Sequence, residues 1–196
     1  MKEQGKFGTR QITLTAALLA ICIISQFFKN LSIFITGPII NTCIVLTVFL
    51  VNLPCAIILS IITPLTAFLI TASPVMKAVP GIIPLIMCGN IVLAVTVHFL
   101  MKKEVLQGGR LAGGWKSWVK AVVCALAKGA FMGLTISLWL LPTFLPEKMR
   151  PKLSVFQTTF SLHQFLTALI GFVYVFLIWA ALRTAMKGPK GPVEEA

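Results

Sequence analysis

Lys128 carries the strongest chemical signal in this sequence. It sits nine residues into an apolar run, Val119–Leu141, whose one other charge is Lys120 at its start. That is roughly 13 Å along a helix, near the middle of a ~30 Å hydrocarbon core. The sequence has no Asp, and its five acids (Glu3, Glu104, Glu147, Glu194, Glu195) all lie outside the apolar runs. No carboxylate inside the membrane can therefore pair with Lys128. If charged, the amine must meet a backbone carbonyl, water or an anionic ligand, or else snorkel to the cytoplasmic interface. An ionisable residue at such depth is a functional candidate by default.

Asn90 falls at a similar depth in its own run, and Asn41 lies near the outer end of another. Gln164, Thr167, Gly171 and Tyr174 follow one helical stripe. A single buried amide usually makes an interhelical hydrogen bond, worth roughly 1 kcal/mol. Several amides and a cation, all from mid-membrane outward, are what a polar or anionic small-molecule site needs. The candidate substrate-binding residues are therefore Lys128, Asn90, Gln164, Asn41 and Thr167.

Other chemistries find little support. His98 and His163 fall at span ends on opposite sides, whereas acid–base catalysis needs groups that converge. The five cysteines (Cys22, Cys43, Cys55, Cys88, Cys124) lie inside apolar runs with no CxxC pair, and such thiols behave as small apolar residues. No catalytic residue, metal or cofactor is expected. No GxxxxGK[ST] loop is present, so the chain is not expected to use ATP itself.

The elements that must position these residues follow from composition. Of 196 residues, 58% are apolar and 11% charged, and the mean hydropathy is +0.96. Soluble domains run near 45–50% apolar and about 25% charged. A net charge of +12 could suggest nucleic acid, but the basic residues punctuate long uncharged runs instead of clustering on a polar face. The reading is an all-α integral membrane protein in contact with lipid, with no nucleic-acid partner.

Six spans are expected, at about 11–28, 37–52, 54–72, 81–100, 119–141 and 161–182. They form one six-helix domain over 1–186, with a disordered tail at 187–196. The period-2 segments of a membrane β-barrel are absent. Eleven of the seventeen Lys and Arg lie on the side of the two termini, five on the other, and Lys128 on neither. Both termini are therefore expected to be cytoplasmic. Lys2–Arg10 before an apolar run resembles a secretion signal, but Ser25–Lys29 offers no small-x-small cleavage site, so the first span is read as uncleaved.

Gly37-Pro38 reads as the start of span two, since Pro suits a first helical turn, and a tight turn is expected at Asn52-Leu53-Pro54. Ser73-Pro74 and Pro80-Gly81 bracket an outer loop. Gln107–Trp115 is a glycine-rich cytoplasmic connector, and Pro142–Phe160 is long enough for a lid or a short surface helix. Gly129-x-x-x-Gly133 and Ala16-x-x-x-Ala20 are small-residue patterns that permit close helix approach.

Taken together, the chain resembles the substrate-binding (S) components of energy-coupling factor (ECF) transporters, six-helix bacterial membrane proteins of about this length. The resemblance covers about 10–183. It rests on Ala16-x-x-x-Ala20 in helix one, Thr36-Gly37-Pro38-Ile39-Ile40-Asn41 opening helix two, and Ser60-Ile61-Ile62-Thr63-Pro64 in helix three. Further matches are Met87-Cys88-Gly89-Asn90 in helix four, Lys128 in helix five, and Gln164–Gly171 in helix six. It implies a non-enzymatic subunit of the bacterial plasma membrane that captures a vitamin or related small molecule in the outer half of its bundle. It also implies a gate at Lys29–Thr36, and docking through Ala16, Ala17 and Ala20 onto a transmembrane coupling (T) protein driven by two cytoplasmic ATPases. Independently, ion-coupled carriers use intramembrane acids, and this sequence has none. A self-sufficient channel or facilitator, a structural membrane-complex subunit and a membrane enzyme are the competing classes.

Overall fold

The computed structural model describes residues 8–28, 32–106 and 114–186. These residues are mostly helical, with no strand among them. The helices are α1 (Thr9–Phe27), α2 (Ile33–Leu50), α3 (Leu53–Thr71), α4 (Pro74–Ala78), α5 (Ile82–Leu106), α6 (Trp115–Met132), α7 (Leu141–Phe144), α8 (Leu153–Phe160) and α9 (Leu162–Met186). A π-helical stretch, Gly133–Leu140, carries α6 into α7, and a 3₁₀ stretch, Glu147–Lys152, leads into α8. Six helices are long and apolar enough to cross a membrane, so the chain is an all-α multi-pass membrane protein. The residues named as a disordered tail (187–196), most of the glycine-rich connector (107–113) and the first part of the expected gate (29–31) lie outside the described residues.

The up-and-down order puts the α1–α2, α3–α5 and α7–α8 connections at one end of the bundle, the distal end. The α2–α3 turn and the outer ends of α1 and α9 lie at the other, the terminal end. α2 is central: it packs against α1, α3, α5 and α9, and eleven of its eighteen residues are buried. α1 is peripheral, burying only Cys22, Ser25 and Gln26. Exposed Leu69, Phe99, Leu134, Leu138 and Leu177 form the outer wall that a bilayer covers. Exposed Trp115 and Trp139 stand near the two ends of the fifth span, where amphipathic rings prefer the interface.

Between lipid-covered helices, association rests on close packing, because lipid tails are as apolar as leucine. Gly129 and Gly133 serve that purpose within the chain: a Cβ on Gly129 would stand 2.8 Å from Phe165 Cβ, and one on Gly133 would stand 3.3 Å from Ser161 Cβ. Gly171 brings α9 equally close to α2, near Asn41 and the carbonyl of Pro38.

The start of the second span differs from expectation. α2 begins at Ile33, because Ser32 caps it: the Phe34 amide donates to Ser32 Oγ at 3.1 Å. Pro38 therefore lies inside the helix, not in its first turn, and Ile33–Thr36 of the expected gate is helical. The turn before α3 is as expected: Asn52 Oδ1 accepts from the Cys55 amide at 2.9 Å, with Pro54 following in the first turn. The long Pro142–Phe160 connection is mostly helical, and α8 lies over the distal end. Lys102, counted among the orienting charges, is in fact buried.

α3 ends on Ala72 at φ 45°. A Cβ in this left-handed conformation costs about 1–2 kcal/mol, and glycine's greater unfolded-state freedom offsets about half of the gain from removing it. Ala72→Gly is therefore expected to melt no lower than the parent protein in a detergent thermal scan, despite adding glycine at a helix end.

Candidate functional site

Lys128 is 2% exposed, so it does not snorkel. Its Nζ donates to Asn41 Oδ1 at 2.6 Å and to Asn90 Oδ1 at 2.7 Å. Three spans thus converge on one ammonium group through two neutral acceptors. Both amides are turned oxygen-first toward it for identifiable reasons.

Asn90 is oriented by a proline. Pro64 has no N–H, so the Ser60 carbonyl one turn earlier in α3 loses its helical donor. Asn90 Nδ2 stands 3.5 Å from that carbonyl, which directs Oδ1 to Lys128. Asn41 is oriented from α9: Thr167 Oγ1 donates to the Gln164 carbonyl at 3.2 Å and is approached by Asn41 Nδ2 at 3.5 Å. The network therefore has one consistent donor order, from Lys128 outward through both amides, and this order assigns the amide oxygens.

Beside this network lies a cavity of about 280 Å³. Its polar lining includes Lys128, Asn41, Asn90, Gln164 and Thr63, and its walls are mainly apolar: Ile33 and Ile40 of α2, Ala67 of α3, Val75 and Met76 of α4, Ile86 of α5 and Phe156 of α8. These are the distal halves of the helices. On α6, Ala125 packs into one apolar core and Met132 into another, and Lys128 sits between them at the level where the cavity opens.

Four of the five residues singled out from sequence thus line one space. Thr167 does not: it is buried behind Asn41, and its methyl lies 2.8 Å from where a Cβ on Gly37 would be. It holds Asn41 in place. Of the stripe through Gln164, Gly171 serves packing, and Tyr174 is exposed on the outside of the bundle. Ala16, Ala17 and Ala20 are exposed together on the bare face of α1.

Three contributors lie outside the set of candidate substrate-binding residues drawn from the sequence. Thr63 lines the cavity, is buried, and its Oγ1 has no partner among the described residues. Gln26 is fully buried and donates Nε2 to the Thr63 carbonyl at 3.0 Å, tying α1 to the same turn of α3. Gln157 ties α8 to the π-helical stretch that follows α6. The π stretch pairs each carbonyl with the N–H five residues on, as Leu141 does with Ile136. Ser137 would need the N–H of residue 142, which is Pro142. Gln157 Nε2 supplies the missing donor at 2.9 Å, and Ser137 Oγ returns a bond to the Gln157 carbonyl at 2.8 Å. The one available signal was proline: Pro64 and Pro142 each free a carbonyl that a side-chain amide from another helix reclaims.

His98 and His163 lie at opposite ends, and His163 meets the ring of Phe34 edge-on at 5.1 Å. Among the described residues no group of three His, Cys, Asp or Glu could hold a metal ion. No family model, curated protein or solved structure matches this chain.

Asn90→Ala is expected to lower stability by about 1–3 kcal/mol, because it strips an acceptor from Lys128 and leaves the Ser60 carbonyl without a donor in a dry interior. A detergent melt against the parent checks this.

Proposed function

We propose that the protein is the substrate-binding subunit of an ECF-type importer in a bacterial plasma membrane, with both termini cytoplasmic. It would capture a vitamin or related small molecule from outside and deliver it together with a transmembrane coupling protein and two cytoplasmic ATPases. The observation that carries this reading is the distal cavity of about 280 Å³ beside a buried cation. Its size suits a small metabolite, at the low end of ligand pockets. The cavity lies at the end away from the two termini, where the sparser Lys and Arg put the outside.

The sequence supports the division of labour. It holds neither a nucleotide-binding loop nor an acid within the spans, so the energy for uptake would come from partners. The surface for those partners is the α1 face bearing Ala16, Ala17 and Ala20, exposed on the least buried of the six spans. Small side chains there allow another helix to approach closely.

The test is affinity capture of the tagged chain from its native membranes. It should bring down one transmembrane partner and two ATPases, and Ala16→Trp with Ala20→Trp should remove them while leaving the chain folded. Capture of the chain alone would overturn the reading.

A further inference from the structure

We propose that the cavity takes a compact monocarboxylate with an apolar body, its charged end on Lys128 and a hydrogen-bonding group about one helical turn away on Thr63. This rests on the reading of the cavity as a ligand site and adds the class of ligand.

The charge count comes first. Among the described residues lining the cavity, Lys128 is the one that carries a charge, and its two partners are neutral amides. An ammonium has three donors; two are used, and among the described residues no protein group takes the third. A carboxylate supplies one negative charge and the missing acceptor together. A phosphate monoester brings about −1.5 to −2, more than one cation balances in a dry site. An amine would place a second positive charge beside the first, where both amide oxygens are already engaged.

The second recognition point is Thr63 Oγ1, which is buried and has no partner among the described residues. Neighbouring hydroxyls are satisfied by backbone, Thr36 by Ser25 and Thr159 by Val155. Thr63 lies three residues beyond Ser60, whose carbonyl holds Asn90, which is about 4.5 Å along the helix axis. A ligand lying along α3 from Lys128 toward the distal end would reach it. Between these two points the walls are apolar, which asks for a hydrocarbon or aromatic body.

Isothermal titration of the detergent-purified full chain with a matched series tests the proposal: phenylbutyrate, phenylbutyramide, phenylbutylamine, phenylpropyl phosphate and benzoylpropionate. Phenylbutyrate should bind at least about tenfold more tightly than its amide, its amine or the phosphate ester. Benzoylpropionate, whose ketone can accept from Thr63, should gain about threefold over phenylbutyrate. Thr63→Val should erase that gain and leave phenylbutyrate unchanged. Equal affinity across head groups, preference for the amine or the phosphate, or no binding of either carboxylate overturns the proposal, and an undiminished ketone gain in Thr63→Val overturns the role of Thr63. The head-group comparison uses the unmodified chain, so it depends on no variant folding. It also needs no coupling partner. Missing partners with an intact head-group order would sink the importer reading alone, and captured partners with the wrong order would sink the ligand class alone.

Discussion

Lys128→Ala should weaken binding of an anionic ligand by at least about 1.5 kcal/mol, the low end for a hydrogen bond to a charged group, or roughly tenfold or more in affinity. The change removes the one positive charge among the described residues of the cavity lining and strips the donor from Asn41 Oδ1 and Asn90 Oδ1. Each stranded acceptor costs about 1–3 kcal/mol in a dry interior, and the lost side chain leaves a void. Affinity and stability should therefore fall together. Lys128→Gln separates the two effects, since its amide can still donate to an asparagine but carries no charge. It should recover much of the melting temperature and none of the affinity for the anion. Titration calorimetry beside a thermal melt reads both. An anion affinity unchanged in Lys128→Ala would reduce Lys128 to a helix-packing role.

The second large effect is expected at Gly129. A Cβ there would stand 2.8 Å from Phe165 Cβ, 3.2 Å from its Cα and 3.3 Å from its amide nitrogen. Two of these three neighbours are backbone, so no rotamer change can make room, and α6 must move away from α9. Overpacking of this kind costs typically about 1–3 kcal/mol and sometimes more. Gly129→Val is expected at the upper end, because Lys128 is the adjacent residue and its bonds to two other helices would be pulled with it. Gly133→Ala is the control: its new methyl would meet Ser161 Cβ at 3.3 Å, a contact a small shift relieves, and it should cost under about 1 kcal/mol. Melts of both variants in one detergent check the order. Equal losses would mean that helix separation at Gly129 is not limiting.

What could be read from the chain alone follows from how much the bilayer demands. About 20 apolar residues are needed for each crossing, so the six spans stand out wherever the sequence is cut. Lys128, Asn90, Asn41 and Gln164 were visible for the complementary reason: a polar group in such a run needs explaining. Thr63 stood in a motif but was not singled out as a site residue, because a threonine in an apolar helix normally satisfies itself on a carbonyl one turn back, as Thr47 does on Cys43. Only the folded chain shows that Thr63 does not. Thr167 was visible but its task was misread, since spacing along α9 cannot distinguish a side chain facing a cavity from one braced behind Asn41. The onset of α2 was misplaced because Gly37-Pro38 is a strong helix-start signal, whereas the Ser32 cap that precedes it is a single hydroxyl. The clasp between Gln157 and Ser137 depends on a π register that no apolar periodicity reveals.

That register has a consequence for how this protein tolerates changes in length. Each residue added to or removed from a helix turns everything beyond it by about 100°. The eight residues Gly133–Leu140 are wound wider than an α-helix, and buried Ile136, Ser137, Leu140 and Leu141 depend on that winding for their inward direction. A one-residue insertion in this stretch, harmless to hydropathy, cannot be absorbed by winding that is already this wide and would swing Leu141 toward lipid. It would also put Pro142 out of step with the carbonyl that Gln157 now serves. This part of the fifth span is thus an insertion-intolerant segment, where added length is constrained more tightly than residue identity.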